Sequence, residues 1–136
     1  MIRVQTKEKG PDMGDQQLKG MARIWAAFRN SAAGFGDIWR GEEAFRQECM
    51  AFIVAVPAAF WLGKDAFAAA LLIASVLFIL VVEVLNSAIE AVVDRIGPER
   101  HDLSRMAKDL GSLAVLLAAL LAGMLWLAAI YVKLVG

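Results

Sequence analysis

The chain has 136 residues, 60% of them hydrophobic, a formal net charge of +0 and a mean hydropathy of +0.59. That apolar share stands well above the roughly 45–50% of ordinary soluble domains, and the charge balance leaves no basic footprint for nucleic acid. A single cysteine, Cys49, excludes an intramolecular disulfide, and a single histidine, His101, has too few partners for a zinc site.

Residues 1–19 are polar, are interrupted by Gly10-Pro11 and Gly14, and lack the apolar core of a cleavable signal peptide. They read as a poorly ordered tail ahead of one domain over residues 20–136. From about residue 20 to 40, Met21, Ile24, Trp25, Phe28, Phe35, Ile38 and Trp39 recur at helical spacing, with Arg23, Arg29, Asn30 and Arg40 on the other side. Aromatics opposite arginines suit an amphipathic helix lying in the lipid headgroup layer; a soluble helix packed on a partner has the same pattern. Gly34 and Gly36 are expected to bend or interrupt it.

The charged residues 42–48 lead into an apolar run that starts at Cys49, which reads as a buried small hydrophobe. That run becomes a first span, about residues 44–63, if the helix reaches back through Ala44 and Phe45. Arg46 and Glu48 then sit at the interface or face other helices. Pro57 is a position for a kink. Gly63-Lys64-Asp65 forms a tight polar turn. A second span covers about residues 66–96 and stops at Gly97-Pro98, where glycine permits a left-handed cap and proline cannot continue the helix. After a charged loop, with Asp102 or Ser104 as N-cap, a third span covers about residues 106–133. Ala118 and Ala122 give it a small-residue face for close helix packing, and Trp126 and Tyr131 suit the far interface. Arg23, Arg29, Arg40 and Arg46 precede the first span, and Arg95, Arg100, Arg105 and Lys108 lie between the second and third. This distribution puts the N-terminus and the second loop in the cytoplasm.

The second span carries the feature around which the chain is organised. Glu83, Asn86, Ser87, Glu90 and Asp94 follow at i, i+3, i+4, i+7 and i+11 and share one helical face, while Val84, Leu85, Ile89, Val92 and Val93 form the other. A carboxylate at this depth is costly unless it is protonated, paired or bound to a cation, which marks it as functional. A solvated helix end facing cytoplasmic water is the plainer reading of the same spacing.

No phosphate-binding loop, dinucleotide fingerprint, soluble-kinase signature or nucleophile elbow occurs in the chain. What remains is a set of carboxylates with cations at one membrane surface: Glu42, Glu48, Glu83, Glu90, Asp94, Lys108 and Asp109. Phosphoryl transfer needs magnesium on oxygen ligands, cations on the phosphates and a base near the attacking hydroxyl, all of which this set can supply. A proton or cation pathway would use the same intramembrane acids.

Three segments carry a resemblance: Glu42-x-Ala44-Phe45-Arg46-Gln47-Glu48, Glu83-x-Leu85-Asn86-Ser87-Ala88-Ile89-Glu90-Ala91-Val92-Val93-Asp94-Arg95, and Ala107-Lys108-Asp109-x-Gly111-Ser112. Together they resemble the signature segments of the small bacterial integral-membrane diacylglycerol kinases, over roughly residue 20 to the C-terminus. The resemblance implies an all-α homotrimeric bundle in the bacterial inner membrane, each subunit with a surface helix and three spans, and active sites shared between subunits. The implied reaction moves phosphate from ATP, with Mg2+, to the hydroxyl of diacylglycerol.

By position, the resemblance makes Glu83 the general base and Glu42 and Glu90 the metal ligands. It places Asn86, Asp94, Lys108 and Asp109 around the nucleotide, with Lys108 facing phosphate charge, and Arg23 as a basic residue reaching toward ATP. Glu48 and Ser87 support the site, although an interfacial ion pair with Arg46 accounts for Glu48 equally well. The chain departs from the family pattern at Asn30-Ser31, where an aromatic residue precedes serine; Asn30 takes that nucleotide-side position. Undecaprenol kinases share the carboxylates, but the form of residues 42–48 resembles the diacylglycerol branch. Against a small proton or cation conduit stands the second loop, since a conduit has no need of Lys108-Asp109 beside Glu90. A non-catalytic scaffold gains nothing from buried acids.

Overall fold

A computed structural model describes residues 20–136, and the tail expected over residues 1–19 lies outside them. Among the described residues the chain is all-helical: α1 Met21–Gly41, α2 Glu43–Leu62, α3 Ala66–Ile96 and α4 Asp102–Val135. Two compact units divide it, one ending at Phe35 and the other comprising Gly36–Gly136.

In the first unit, the rings of Trp25 and Phe28 stack with centroids 6.0 Å apart, and the Ser31 hydroxyl donates to the Ala27 carbonyl at 3.0 Å. Met21, Ile24, Trp25 and Phe28 are exposed. The expected interruption at Gly34 and Gly36 does not occur, because α1 runs unbroken to Gly41. A helix-interior glycine costs only about 1 kcal/mol relative to alanine, and Ala32-Ala33 just before Gly34 hold the helical backbone.

In the second unit α3 is the central element. It packs against both α2 and α4, which scarcely touch each other. Small residues allow this closeness: Ala55 and Ala59 of α2, Ala69 and Ser75 of α3, and Gly111, Ala118 and Ala122 of α4 are buried with Leu72. The buried Ser75 hydroxyl donates to the Leu72 carbonyl at 2.7 Å, so its polarity is satisfied inside its own helix. The large apolar side chains point outward instead: Phe60, Phe67, Leu85, Leu116 and Leu127 are among the exposed. α2, α3 and α4 are long and apolar enough to cross a membrane, and outward apolar faces over a small-residue interior suit a lipid environment.

The helix ends follow local chemistry. Asp65 caps α3 by accepting from the Ala68 amide at 2.8 Å. The turn before it is tight: a Cβ on Gly63 would lie 2.7 Å from the Ala69 nitrogen and 2.9 Å from the Ala59 carbonyl oxygen. α2 continues past Pro57 to Leu62. Gly97 ends α3 with φ 150° and ψ 165°, a positive φ that favours glycine but lies away from the left-handed helical well. α4 begins with His101 as its cap, the imidazole Nδ1 accepting from the Leu103 amide at 3.1 Å. Neither Asp102 nor Ser104 fills that role, because the helix already starts at Asp102. Trp126 is half-buried with its indole nitrogen shielded, and it lines an apolar groove with Met50, Val54, Val76 and Ile79. Tyr131 is exposed, and Lys133 lies over the Trp61 ring at 5.5 Å. Cys49 is free and half-buried, less enclosed than its apolar surroundings in sequence imply.

Candidate functional site

The polar stripe of α3 turns inward at its lower end and emerges at its upper end. Glu83 is 5% exposed and Asn86 9% exposed; Ser87 and Glu90 are half-buried, and Asp94 is exposed. Val84, Leu85, Ile89 and Val92, on the other face, are all exposed. The burial gradient follows from the packing of α3 between its neighbours: the face that carries the acids is the face that α2 and α4 cover. A merely solvated helix end does not account for Glu83, which is covered as deeply as the apolar core.

Around Glu83 the acids gather. Glu83 lies within electrostatic reach of Glu42 and Glu90, and Glu48 within reach of Glu83. Glu42 sits at the junction of α1 and α2, in the N-cap position, but its carboxylate forms no capping hydrogen bond. Glu48 does not pair with Arg46. The Arg46 guanidinium reaches back and donates at 2.8 Å to the carbonyl of Trp39, in the last turn of α1. Among the described residues the Oε2 atom of Glu48 is buried with no hydrogen-bond partner, as are Asn86 Oδ1 and Ser87 Oγ. Buried polar groups left unpaired are rare and call for an unseen ligand, ion or water.

Above the acids, Lys108 of α4 donates to Asp94 of α3 at 2.6 Å, and Arg105 donates to Asp109 at 2.6 Å. Lys108 also feels the charge of Glu90. A cleft of about 470 Å³ opens beside this pair, lined by Asp94, Arg100, His101, Arg105 and Lys108 among others. Arg100, His101 and Arg105 were not singled out as site residues from the sequence; the density of cations in the loop between α3 and α4 is the signal that points to them. Arg23 and Asn30 lie in the unit that ends at Phe35, and both are exposed on α1.

Within the second unit the fold thus brings together Glu42, Glu48, Glu83, Asn86 and Glu90, followed by Asp94 and Lys108. Among the described residues no three histidine, cysteine or carboxylate side chains are grouped to hold a metal ion by themselves. Magnesium is compatible with such a donor set, since it takes one or two carboxylates and completes its shell with water and phosphate oxygens. Glu42 and Glu90 are oxygen donors of that kind, and both lie within electrostatic reach of Glu83.

Comparison with known proteins points to one family. A profile described as prokaryotic diacylglycerol kinase matches residues 29–130. The diacylglycerol kinase of Escherichia coli (strain K12) is 52% identical over 107 residues, covering 79% of this chain and 88% of that protein. The diacylglycerol kinase of Pseudomonas aeruginosa is 48% identical over 107 residues, covering 79% and 87%. That of Haemophilus influenzae is 41% identical over 107 residues, covering 79% and 91%.

Proposed function

The chain belongs to the prokaryotic diacylglycerol kinase family, and we propose that it transfers the γ-phosphate of ATP to the primary hydroxyl of 1,2-diacylglycerol, giving phosphatidic acid and ADP. The observation that carries this reading is the burial of Glu83, 5% exposed on a span-forming helix and neighboured by other carboxylates. An acid at that place needs a chemical reason, and removing a proton from a lipid alcohol supplies one.

Glu83 accepts the hydroxyl proton as the lipid oxygen forms its bond to the γ-phosphorus. The bond from that phosphorus to the β–γ bridging oxygen breaks, and ADP leaves with the electron pair. Glu42 and Glu90 would hold magnesium, which when bound would supply positive charge to offset the polyphosphate and the gathered acids. Asn86 orients Glu90, to which its amide already donates at 3.5 Å. Lys108, held by Asp94, presents its ammonium to phosphate oxygens, and Asp109, Arg23 and Asn30 complete the nucleotide contacts. Glu48 and Ser87 support the base from beside it. The enzyme works as a homotrimer in the bacterial inner membrane, with its N-terminus in the cytoplasm, α1 on the membrane surface and sites shared between subunits.

The test is a purified-protein assay with labelled ATP, offering diacylglycerol and undecaprenol side by side. Label in phosphatidic acid is expected. Label only in undecaprenyl phosphate would reassign the lipid, and label in neither would end the kinase reading of this site.

A further inference from the structure

Gly111 of α4 packs against the polar stripe at Asn86. It is buried, and a Cβ built on it would collide with Oδ1 of Asn86 and come within 3.2 Å of Asn86 Cγ. The carboxamide of Asn86 therefore occupies the space that any other residue at position 111 would fill. Its oxygen is buried against the Gly111 backbone without a hydrogen-bond partner, and its amide nitrogen donates to Glu90 Oε1.

These facts fix the orientation of the carboxamide. Turned over, it would set its oxygen against the Glu90 carboxylate, acceptor against acceptor, and strand both amide hydrogens against an α-carbon. As it stands, the donor meets the carboxylate, and the oxygen touches a Cα–H group, a weak but favourable contact. Among the described residues Asn86 forms the only hydrogen bond to the Glu90 carboxylate. We propose that Gly111 is a positioning residue for the phosphoryl-transfer site: its missing side chain seats the Asn86 carboxamide, and that seat holds Glu90 in the orientation in which it binds the divalent metal. This inference rests on the reading of Glu90 as a metal ligand given above.

The prediction concerns Gly111→Ala. The methyl group displaces the Asn86 carboxamide, so the side-chain 15N amide resonance of Asn86, identified by its loss in Asn86→Ala, moves. Mn2+ binding in the presence of a non-hydrolysable ATP analogue, read by electron paramagnetic resonance on the full-length protein in lipid, weakens by about tenfold, the lower end for loss of a partner that orients a metal ligand. With Asn86→Ala as background, the same Gly111→Ala change has no further effect on Mn2+ binding, because the carboxamide it displaces is already gone. An unmoved Asn86 resonance with parental Mn2+ affinity in Gly111→Ala overturns the proposal, and so do losses that simply add in the double variant.

Two further outcomes separate other failures. If Gly111→Ala does not assemble, recovery of a folded protein in the double variant supports the seat, and a double variant that also fails overturns it. If Glu90→Ala binds Mn2+ like the parent, the metal reading of Glu90 falls, and with it the link from this seat to the metal.

Discussion

Lys108 and Asp94 join α4 to α3 through a 2.6 Å hydrogen bond just above the buried acids. The pair is open to solvent, with side-chain exposures of 39% and 67%, so it contributes little to folding. Its consequence is positional: the ammonium is held at the mouth of the cleft. Lys108→Ala should leave the unfolding midpoint in detergent unchanged while raising the KM for ATP by about tenfold, as expected for a lost hydrogen bond to a charged group. Steady-state kinetics beside thermal unfolding checks both halves.

Glu83→Gln keeps shape and hydrogen-bonding capacity but cannot take a proton. Turnover should fall by about a hundredfold or more, the usual range for loss of a general base. Binding of MgATP, measured by displacement of a fluorescent analogue, should persist. Near-parental turnover would remove Glu83 from the role of base.

Glu90→Ala and Glu42→Ala each take away one oxygen donor from a site that has few to offer. Both should move the magnesium titration of activity to higher concentration, by about tenfold or more. A titration that overlays the parent would end the metal assignment for that residue.

If sites are shared between subunits, two inactive variants should complement each other. Trimers reconstituted from mixed Glu83→Gln and Arg23→Ala chains should regain part of the parental rate, whereas each variant alone stays inactive. Absence of any rescue in mixtures proven to exchange subunits would argue for self-contained subunits.

Ala59 of α2 is fully buried. Ala59→Leu overpacks this contact and should lower stability by about 1–3 kcal/mol, read from reversible denaturation in mixed micelles. The same change at exposed Ala44 should be nearly neutral.

Much of this architecture could be read from the chain because lipid imposes a simple code. Long apolar runs broken by Gly63-Lys64-Asp65 and Gly97-Pro98 yield helices wherever they occur, and the face carrying Glu83 and Asn86 follows from helical periodicity alone. The misreadings share a different origin. An ion pair of Arg46 with Glu48 is suggested by closeness in sequence, whereas Arg46 donates to the Trp39 carbonyl near the end of α1, a partner that spacing does not display. His101 caps α4 through a ring nitrogen, a role more often filled by the short oxygen side chains at Asp102 and Ser104. The contact of Gly111 with Asn86 depends on the register between α3 and α4, which no pattern within either helix encodes.

The turn at Gly63 has a reach beyond its own surroundings. α2 and α3 leave it as two stiff rods, and Glu48 lies 15 residues up one of them, roughly 22 Å away at the helical rise. A side chain at position 63 must push Ala59 and Ala69 apart, and a small opening at the base of such a lever becomes a wider sideways separation at its free end. The spacing of Glu48 from Glu83 is thus sensitive to the far end of the helix pair, to a residue with no functional group at all.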